Sequence, residues 1–507
     1  MSRPRYACGL ELSSQSATWG FLDLDGGQFH PGSFTYDSEF KGRYPIEGGV
    51  IRGDGGEVHV PQLMLLEAMD KIFEKAPKEL LKDTVVYKAD CMQHAQTFTR
   101  DLGKGLRAMD PNETIAANLG DYLTRGTVPI WEDRSTKLEA AYLDDKLAPH
   151  GGMIALTGNP TELRFPAAQL LRWKGQNYPD FLKTSEIRAL SAGVTSVLCG
   201  HVADTDTGDG WGTNLNTMNI DNPGHSQVIA DLIDPRLLSM LGGMAHYDKR
   251  AGRISQYFVE RHGAYPSALV LSGTCDNPAY LLNFFLSAGT SWTLNGQLPE
   301  VTRSNGEDNV FGCKPGRVMS LVCFTNGGRL HEEFCKRYAE GSWERYHELA
   351  GQAQPASHLM LPYMYDESVP RRKAGIVRDG FDESDASANI RALYDSMILS
   401  SRAHSKHMKI PGKIWVLAGG GKSHVLTQGV ADAFDRETGT LAQYKHAAVF
   451  GNAMAGAADV LGISYEQAIR TFARELSGSN RKPIPDNVRL YRDALPRFEE
   501  LERRNAT

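Results

Sequence analysis

Asp276 sits in a stretch of this chain whose residue types could take a proton from a hydroxyl. Leu271-Ser272-Gly273-Thr274-Cys275-Asp276-Asn277-Pro278-Ala279 continues an apolar, strand-like run, Ala268 to Leu271. Tyr280 to Phe285 then reads as a helix, with Asn277 suited to the N-cap and Pro278 to the first turn. Asp276 is thereby expected at the carboxyl end of a strand, in the crevice where open α/β sheets bind ligands. Close behind lies Gly289-Thr290-Ser291, small and rich in backbone N–H and hydroxyl donors. A carboxylate beside a phosphate cradle is the pairing needed to deprotonate a hydroxyl next to bound nucleotide.

A second chemistry-bearing stretch is Ile414-Trp415-Val416-Leu417-Ala418-Gly419-Gly420-Gly421-Lys422-Ser423-His424, a strand running into three glycines and then a helix. Glycines there let a ligand approach the backbone, and a helix N-terminus favours an anion. The P-loop pattern G-x-x-x-x-G-K-S would need glycine at 416, where Val416 stands, and the dinucleotide fingerprint from Gly419 would need glycine at 424, where His424 stands. Nicotinamide dehydrogenase chemistry is disfavoured accordingly. In the first half, Gln93 and His94 follow one strand-like run, and Trp131 and Asp133 lie at the end of another. Carboxylate, amide and imidazole against an aromatic wall is a set suited to a polyol. Asp204-Thr205-Asp206-Thr207-Gly208-Asp209-Gly210 lacks the ligand pattern of a calcium loop and reads as an Asp/Gly-rich surface loop.

Strand-like runs at Tyr6–Leu24 (a hairpin with a hydroxyl-rich turn), Thr84–Tyr87, Val128–Trp131, Met153–Leu156, Ala268–Leu271, Val318–Phe324 and Ile414–Leu417 position these groups. They alternate with helical patterns at Pro61–Glu74, Pro166–Trp173, Ile390–His404 and Val425–Phe434. Such alternation predicts an α/β fold. The hydroxyl-rich turn near Ser13 is echoed at Thr290-Ser291, as two similar lobes closing on one nucleotide would require, with the boundary near residue 280. At 507 residues, 23% charged and 41% hydrophobic, the chain can bury sizeable cores. A net charge of −6 gives no basic footprint for nucleic acid. No apolar run reaches the length of a membrane helix. Seven cysteines without a C-x-x-C pair fit reduced thiols, and the expected location is cytoplasmic.

Taken together, these segments resemble the FGGY carbohydrate kinase family over nearly the whole chain, closest to its xylulokinase branch. Gly9-Leu10-Glu11-Leu12-Ser13-Ser14-Gln15 resembles the family's first phosphate loop, with Glu11 in place of the usual aspartate. Met92-Gln93-His94 and Trp131-Glu132-Asp133 are similar to its sugar-contact motifs, and Thr157-Gly158 with Arg164-Phe165 to a further shared stretch. Asp209-Gly210-Trp211-Gly212-Thr213-Asn214-Leu215 is similar to a motif of the animal-type xylulokinases. Gly273 to Ala279 sits where that branch carries its catalytic aspartate. Gly289-Thr290-Ser291 resembles the second phosphate loop and Gly420-Gly421-Lys422-Ser423-His424 the adenosine loop. The spacing from Asp276 to Gly289 is short, and about two residues are missing after Gly421.

The resemblance implies two actin-like, ribonuclease-H-like lobes, 1–280 for sugar and 281–507 for nucleotide, with the active site in the cleft. It implies Asp276 as the base. Gln93, His94, Trp131, Asp133, Asp276 and Asn277 would contact the sugar. Ser13, Ser14, Gln15, Gly289, Thr290, Ser291, Gly420, Gly421, Lys422 and Ser423 would hold ATP. Glu11 and Asp276 would serve magnesium carried by the nucleotide. The implied reaction is ATP-dependent phosphorylation of a ketose, D-xylulose first. Ribulose, glycerol or erythritol kinases, or a non-catalytic nucleotide-binding regulator, stand as alternatives. The partners are then small molecules, with no nucleic acid or membrane, and room for a homodimer.

Overall fold

The computed structural model describes residues 5–289, 292–298, 300–408, 410 and 412–505. Thr290 and Ser291, expected to form the second phosphate loop, lie outside the described residues. Two sheets share one plan. In the first, the strand order is Arg250–Arg253, Leu269–Leu271, Thr84–Cys91, Tyr6–Leu12, Ser16–Asp23, Phe29–Thr35. In the second it is Thr438–Gly439, Ile414–Leu417, Phe284–Ala288, Trp292–Gln297, Val318–Phe324, Asn309–Gly312. Each sheet has an antiparallel meander whose first strand gains parallel neighbours on its other side. The repeated meander with parallel additions is the actin-like, two-lobed architecture that the paired hydroxyl-rich turns anticipated.

The parallel strands are buried on both faces and therefore read as apolar runs, while helices cover them. The helix Ala447–Leu461 is the element that binds the two halves of the molecule together. Although it follows the second sheet in sequence, it packs on Tyr6–Leu12 and Thr84–Cys91 of the first. Its backbone comes so close that a Cβ on Gly9 would lie 2.0 Å from the Val449 carbonyl oxygen. A Cβ on Gly451 would lie 2.0 Å from that of Ala279. The division into lobes 1–280 and 281–507 stays a proposal, with the helix Ala447–Leu461 lying on the first lobe.

Several expected elements take another form. Tyr280–Phe285 is not a helix: a single turn, Asp276–Ala279, capped by Cys275 rather than Asn277, is followed by the strand Phe284–Ala288. The apolar run there is buried on the axis of the second sheet, and tertiary burial overrides local pattern. Met153–Leu156 lies in a short helix, Gly152–Thr157, bounded by Gly151 and Gly158 at positive φ. Asp204–Gly210 is no surface loop. Asp206 and Asp209 are buried, and Asp206 caps the turn Thr207–Gly210 by accepting from the Asp209 N–H at 2.9 Å.

No single helix among the described residues is long and apolar enough to cross a membrane. The bent pair Tyr444–Leu461 and Tyr465–Phe472 passes on composition, and its apolar residues lie in the core against the first sheet.

Candidate active site

Three neighbouring strands of the first sheet end at the cleft with acids on them. Tyr6–Leu12 and Thr84–Cys91 run parallel with Glu11 opposite Asp90, and Thr274 pairs with Asp90 on the other side. Two residues beyond Thr274 comes Asp276. The three carboxylates share an interior that solvates them poorly. Burial pushes Glu11 up to about 7, with the charge of Asp276 adding to it. Burial, Glu11 and Asp276 push Asp90 well above the ordinary carboxylate range. Asp276 is pushed up to about 6 by burial, opposed by two hydrogen bonds from Asn277. Both of those bonds, from the Asn277 backbone N–H at 2.8 Å and its Nδ2 at 2.9 Å, fall on Oδ1. Among the described residues no hydrogen bond reaches Oδ2, which is left for a ligand in the cleft.

A polar and aromatic wall stands beside this carboxylate. Asn277 Nδ2 also donates to Gln93 Oε1 at 3.2 Å, while Gln93 Nε2 is buried without a partner. His94, at φ +71°, donates from Nδ1 to the Gly212 carbonyl at 2.8 Å and lies 4.3 Å from the Phe165 ring. Burial and the nearby Arg164 hold its pKa well below the usual value, so the ring is neutral and Nε2 is an acceptor. Trp131 Nε1 donates to Ser14 Oγ at 3.0 Å, tying the expected sugar wall to the first hydroxyl-rich turn. That turn is closed by the Ser13 N–H on the Ser16 carbonyl at 2.9 Å, and the Gln15 carbonyl accepts from the Tyr36 N–H.

Asp133 does not join this group. Its Oδ1 accepts from the Ser135 N–H, Ser135 Oγ and Gln169 Nε2. Its Oδ2 accepts from the Val58 N–H at 2.9 Å and lies 3.3 Å from His59 Nε2. The residue has no exposed surface and its pKa is lowered, burial being outweighed by the donors from His59, Ser135 and Val58. Five donors saturate a carboxylate, so the expectation that Asp133 presents an oxygen to the sugar is corrected. It anchors the segment that carries Trp131.

On the second lobe, the turn Gly419–Lys422 leaves the end of strand Ile414–Leu417, and Ser423 caps the helix His424–Phe434 by accepting from the Leu426 N–H at 3.3 Å. Two cavities flank that turn. One, of about 610 Å³, has aromatic walls from Trp292, Trp343, His347 and Tyr394, with Gly289, Gly420 and Ser423 at its rim. The other, of about 380 Å³, is lined by Glu11, Tyr280, Lys422, Lys445 and His446. Gly419 and Lys422 line both. A flat base in the first and an anionic tail across Gly419 towards Glu11 is the ligand shape this arrangement accepts.

Sequence reasoning missed part of the site. Asp90, Asp206, Asp209 and Lys88 are buried beneath it, and Lys88 donates to the Ser272 carbonyl at 2.5 Å and the Tyr247 carbonyl at 3.0 Å. For Lys88 and Asp90 the signal was legible: charges within an otherwise apolar central strand are buried only when they are paired or functional. The aromatic walls from Trp343 and His347 carried no such signal, because their helix, Trp343–Gln352, reads as an ordinary amphipathic surface.

No family model matches the chain. It is 26% identical to the xylulose kinase of Rattus norvegicus over 99% of this chain and 97% of that protein. It is also 26% identical to xylulose kinase 2 of Arabidopsis thaliana over 82% and 80%. The solved xylulose kinase of Lactobacillus acidophilus superposes with a TM-score of 0.81 at 17% identity, covering 99% of both chains. Over nearly its whole length the chain is similar to xylulose kinases, and it shares their two-lobed fold. The same two-lobed fold recurs in the glycerol kinase of Plasmodium falciparum, with a TM-score of 0.78, 12% identity and coverage of 99% and 98%. The sugar kinases of this fold thus vary in their polyol while sharing the lobes, and the choice of substrate has to be argued from side chains.

Proposed function

We propose that this kinase transfers the γ-phosphoryl group of ATP to D-xylulose, giving D-xylulose 5-phosphate and ADP. The observation that carries the reading is Asp276. It is a carboxylate with one oxygen free in the cleft, beside a wall of amides and a neutral histidine, in a chain similar over its length to xylulose kinases. In this mechanism Gln93, His94 and Asn277 hold the sugar hydroxyls, and Asp276 Oδ2 accepts the proton of the attacking hydroxyl. The sugar oxygen then forms its bond to the γ-phosphorus as the bond to the β,γ-bridging oxygen breaks, and ADP carries away the electron pair. A pKa near 6 keeps Asp276 ionised at neutral pH yet basic enough to take the proton. Phosphoryl transfer asks mainly for positioning and charge neutralisation, which the two cavities and the hydroxyl-rich turns supply.

Among the described residues no three His, Cys, Asp or Glu side chains could hold a metal ion on their own. Glu11 and Asp276 still fit a magnesium ion that arrives with the nucleotide, because two hard, buried carboxylates, one raised by the charge of the other, are relieved by a cation. When bound, magnesium would neutralise charge on the phosphates and polarise the reacting phosphorus. A cytoplasmic location is consistent with cysteines that form no disulfide. Self-association as a homodimer is a separate proposal, read by analytical ultracentrifugation.

The test is ADP release in a coupled assay across xylulose, ribulose, other ketoses, pentitols, erythritol and glycerol. D-xylulose should give the highest kcat/KM. A tenfold preference for another polyol would transfer the reading to that sugar, and no turnover with any would favour the regulator.

A further inference from the structure

The cavity of about 380 Å³ holds groups that the sequence analysis did not assign. Tyr444, Lys445 and His446 form a short turn that leads into the helix Ala447–Leu461, and Ala447 and Ala448, its first residues, also line the cavity. Lys422, on the glycine turn, also lines the cavity, with its ammonium 5.5 Å from the centre of the Tyr444 ring. Lys422 and Lys445 are both exposed, and among the described residues neither has a carboxylate within ion-pairing distance. Two unpaired ammonium groups from different segments thus converge on one cavity.

The acid that faces them is Glu11, at the cleft end of the cavity. His446, between the lysines and the helix, is held below its usual pKa by burial and by the charge of Lys445. It therefore adds no fixed positive charge until an anion arrives. The helix that begins there has fifteen residues, and its first two line the cavity, at the end of a helix that favours an anion.

Resting on the nucleotide reading above, we propose that Lys445 and Lys422 grip the polyphosphate tail of the nucleotide. They would do so from two segments of the cavity wall, the glycine turn Gly419–Lys422 and the turn Tyr444–His446. Lysine acts here as a point charge on each phosphate rather than as a fork. The base and ribose lie against Trp343 and His347, in a pocket that Lys422 also lines and Lys445 does not. The tail is drawn past Gly419 towards Glu11 and the acceptor. The pair selects donors by the length of the anionic tail.

Titration calorimetry on the full chain separates tail from base. K445M should weaken ADP binding about tenfold while leaving AMP within about threefold, K422M should weaken both with the larger loss on ADP, and K445R should recover most of the loss. Raising salt from 50 to 300 mM should weaken ADP binding to the parent more than to K445M, since the removed charge is exposed and screened. Inorganic tripolyphosphate should displace ADP from the parent and fail to do so from K445M. Equal ADP affinity in parent and K445M would overturn the proposal. So would equal losses of AMP and ADP, which would assign the lysines to the nucleoside pocket. A parent that binds neither nucleotide would instead overturn the kinase reading itself, a result distinct from either.

Discussion

Asp133 and Asp276 are carboxylates of the same lobe, each just past the end of a strand, and the fold treats them in opposite ways. Asp133 is surrounded by donors from four other residues, all within the lobe, and its charge is stabilised. Asp276 receives donors from its neighbour alone, on one oxygen, and sits above the ordinary carboxylate range. A group whose hydrogen-bonding capacity is full holds structure. One left short of donors in a low-dielectric cleft can bind and react. The contrast extends to Glu11 and Asp90, which share the unsatisfied environment of Asp276 rather than the saturated one of Asp133.

The largest way to break this comparison is Asp276→Asn. Loss of a general base should lower kcat by roughly 10²–10⁴ while nucleotide affinity stays near the parent's. Burial disfavours the ionised carboxylate, so its cost to the fold grows as pH rises from about 4, its unfolded value, through about 6. The variant should therefore melt at or above the parent at pH 8, and the parent's kcat/KM should fall as pH drops below about 6. Turnover within threefold of the parent would remove Asp276 from the base role.

Asp133→Ala is the mirror experiment. It leaves the Val58 and Ser135 N–H groups, Gln169 and His59 without their acceptor, which should cost about 3 kcal/mol of stability. Below the melting transition, kcat should stay within about threefold, because the carboxylate touches no reacting atom in this reading. Denaturant unfolding and steady-state kinetics on the same preparation check both halves. A hundredfold loss of turnover with stability intact would return Asp133 to the sugar pocket.

Much of this was legible in the sequence, and the failures share one cause. The hairpin at Tyr6–Leu24, the strand Val318–Phe324 and the strand-to-glycine turn at Ile414–Gly421 follow from local pattern, and the structure has them there. Asp276 could be singled out because strand and turn signals bracket it. The difference between Asp133 and Asp276 could not, since it depends on Val58, His59 and Gln169, which are remote in sequence from Asp133. The same holds for Tyr280–Phe285, where the partners that make part of it strand are Trp415 and Asn295. Lys445 and Lys422 meet across one cavity although twenty-two positions separate them along the chain. Residue type announces what a group can do, and long-range packing decides whether it is free to do it.

A third pair of acids sharpens the comparison on the second lobe. Glu307 and Glu502 both bond to His404, at 2.7 Å to Nδ1 and 3.2 Å to Nε2, and these bonds outweigh burial to raise His404 to about 9. Glu502 belongs to the helix Pro485–Arg504, so the imidazolium ties that helix to the second sheet's surroundings. A raised folded pKa stabilises fully below the unfolded value near 6.5 and is lost as pH climbs through 9. Partial exposure of Glu307 tempers the effect, and about 2 kcal/mol should disappear between pH 6.5 and 9.5. His404→Gln should flatten that slope in denaturant unfolding, and an unchanged slope would assign the pH dependence elsewhere.

The smallest effect concerns the amide beside the base. Gln93 Oε1 accepts from Asn277, while its buried Nε2 has no partner among the described residues. A sugar hydroxyl could accept from that amide. Gln93→Ala removes the donor and should raise the sugar KM about tenfold, the worth of one hydrogen bond to a buried polar group, with the ATP KM unchanged. Gln93→Glu offers an acceptor where a donor is needed and places a charge beside Asp276, so it should be worse than alanine for sugar binding. If alanine and glutamate raised the KM of sugar and ATP alike, Gln93 would be acting through lobe geometry. If the glutamate variant bound sugar as well as the parent, the orphan amide would have no role in recognition.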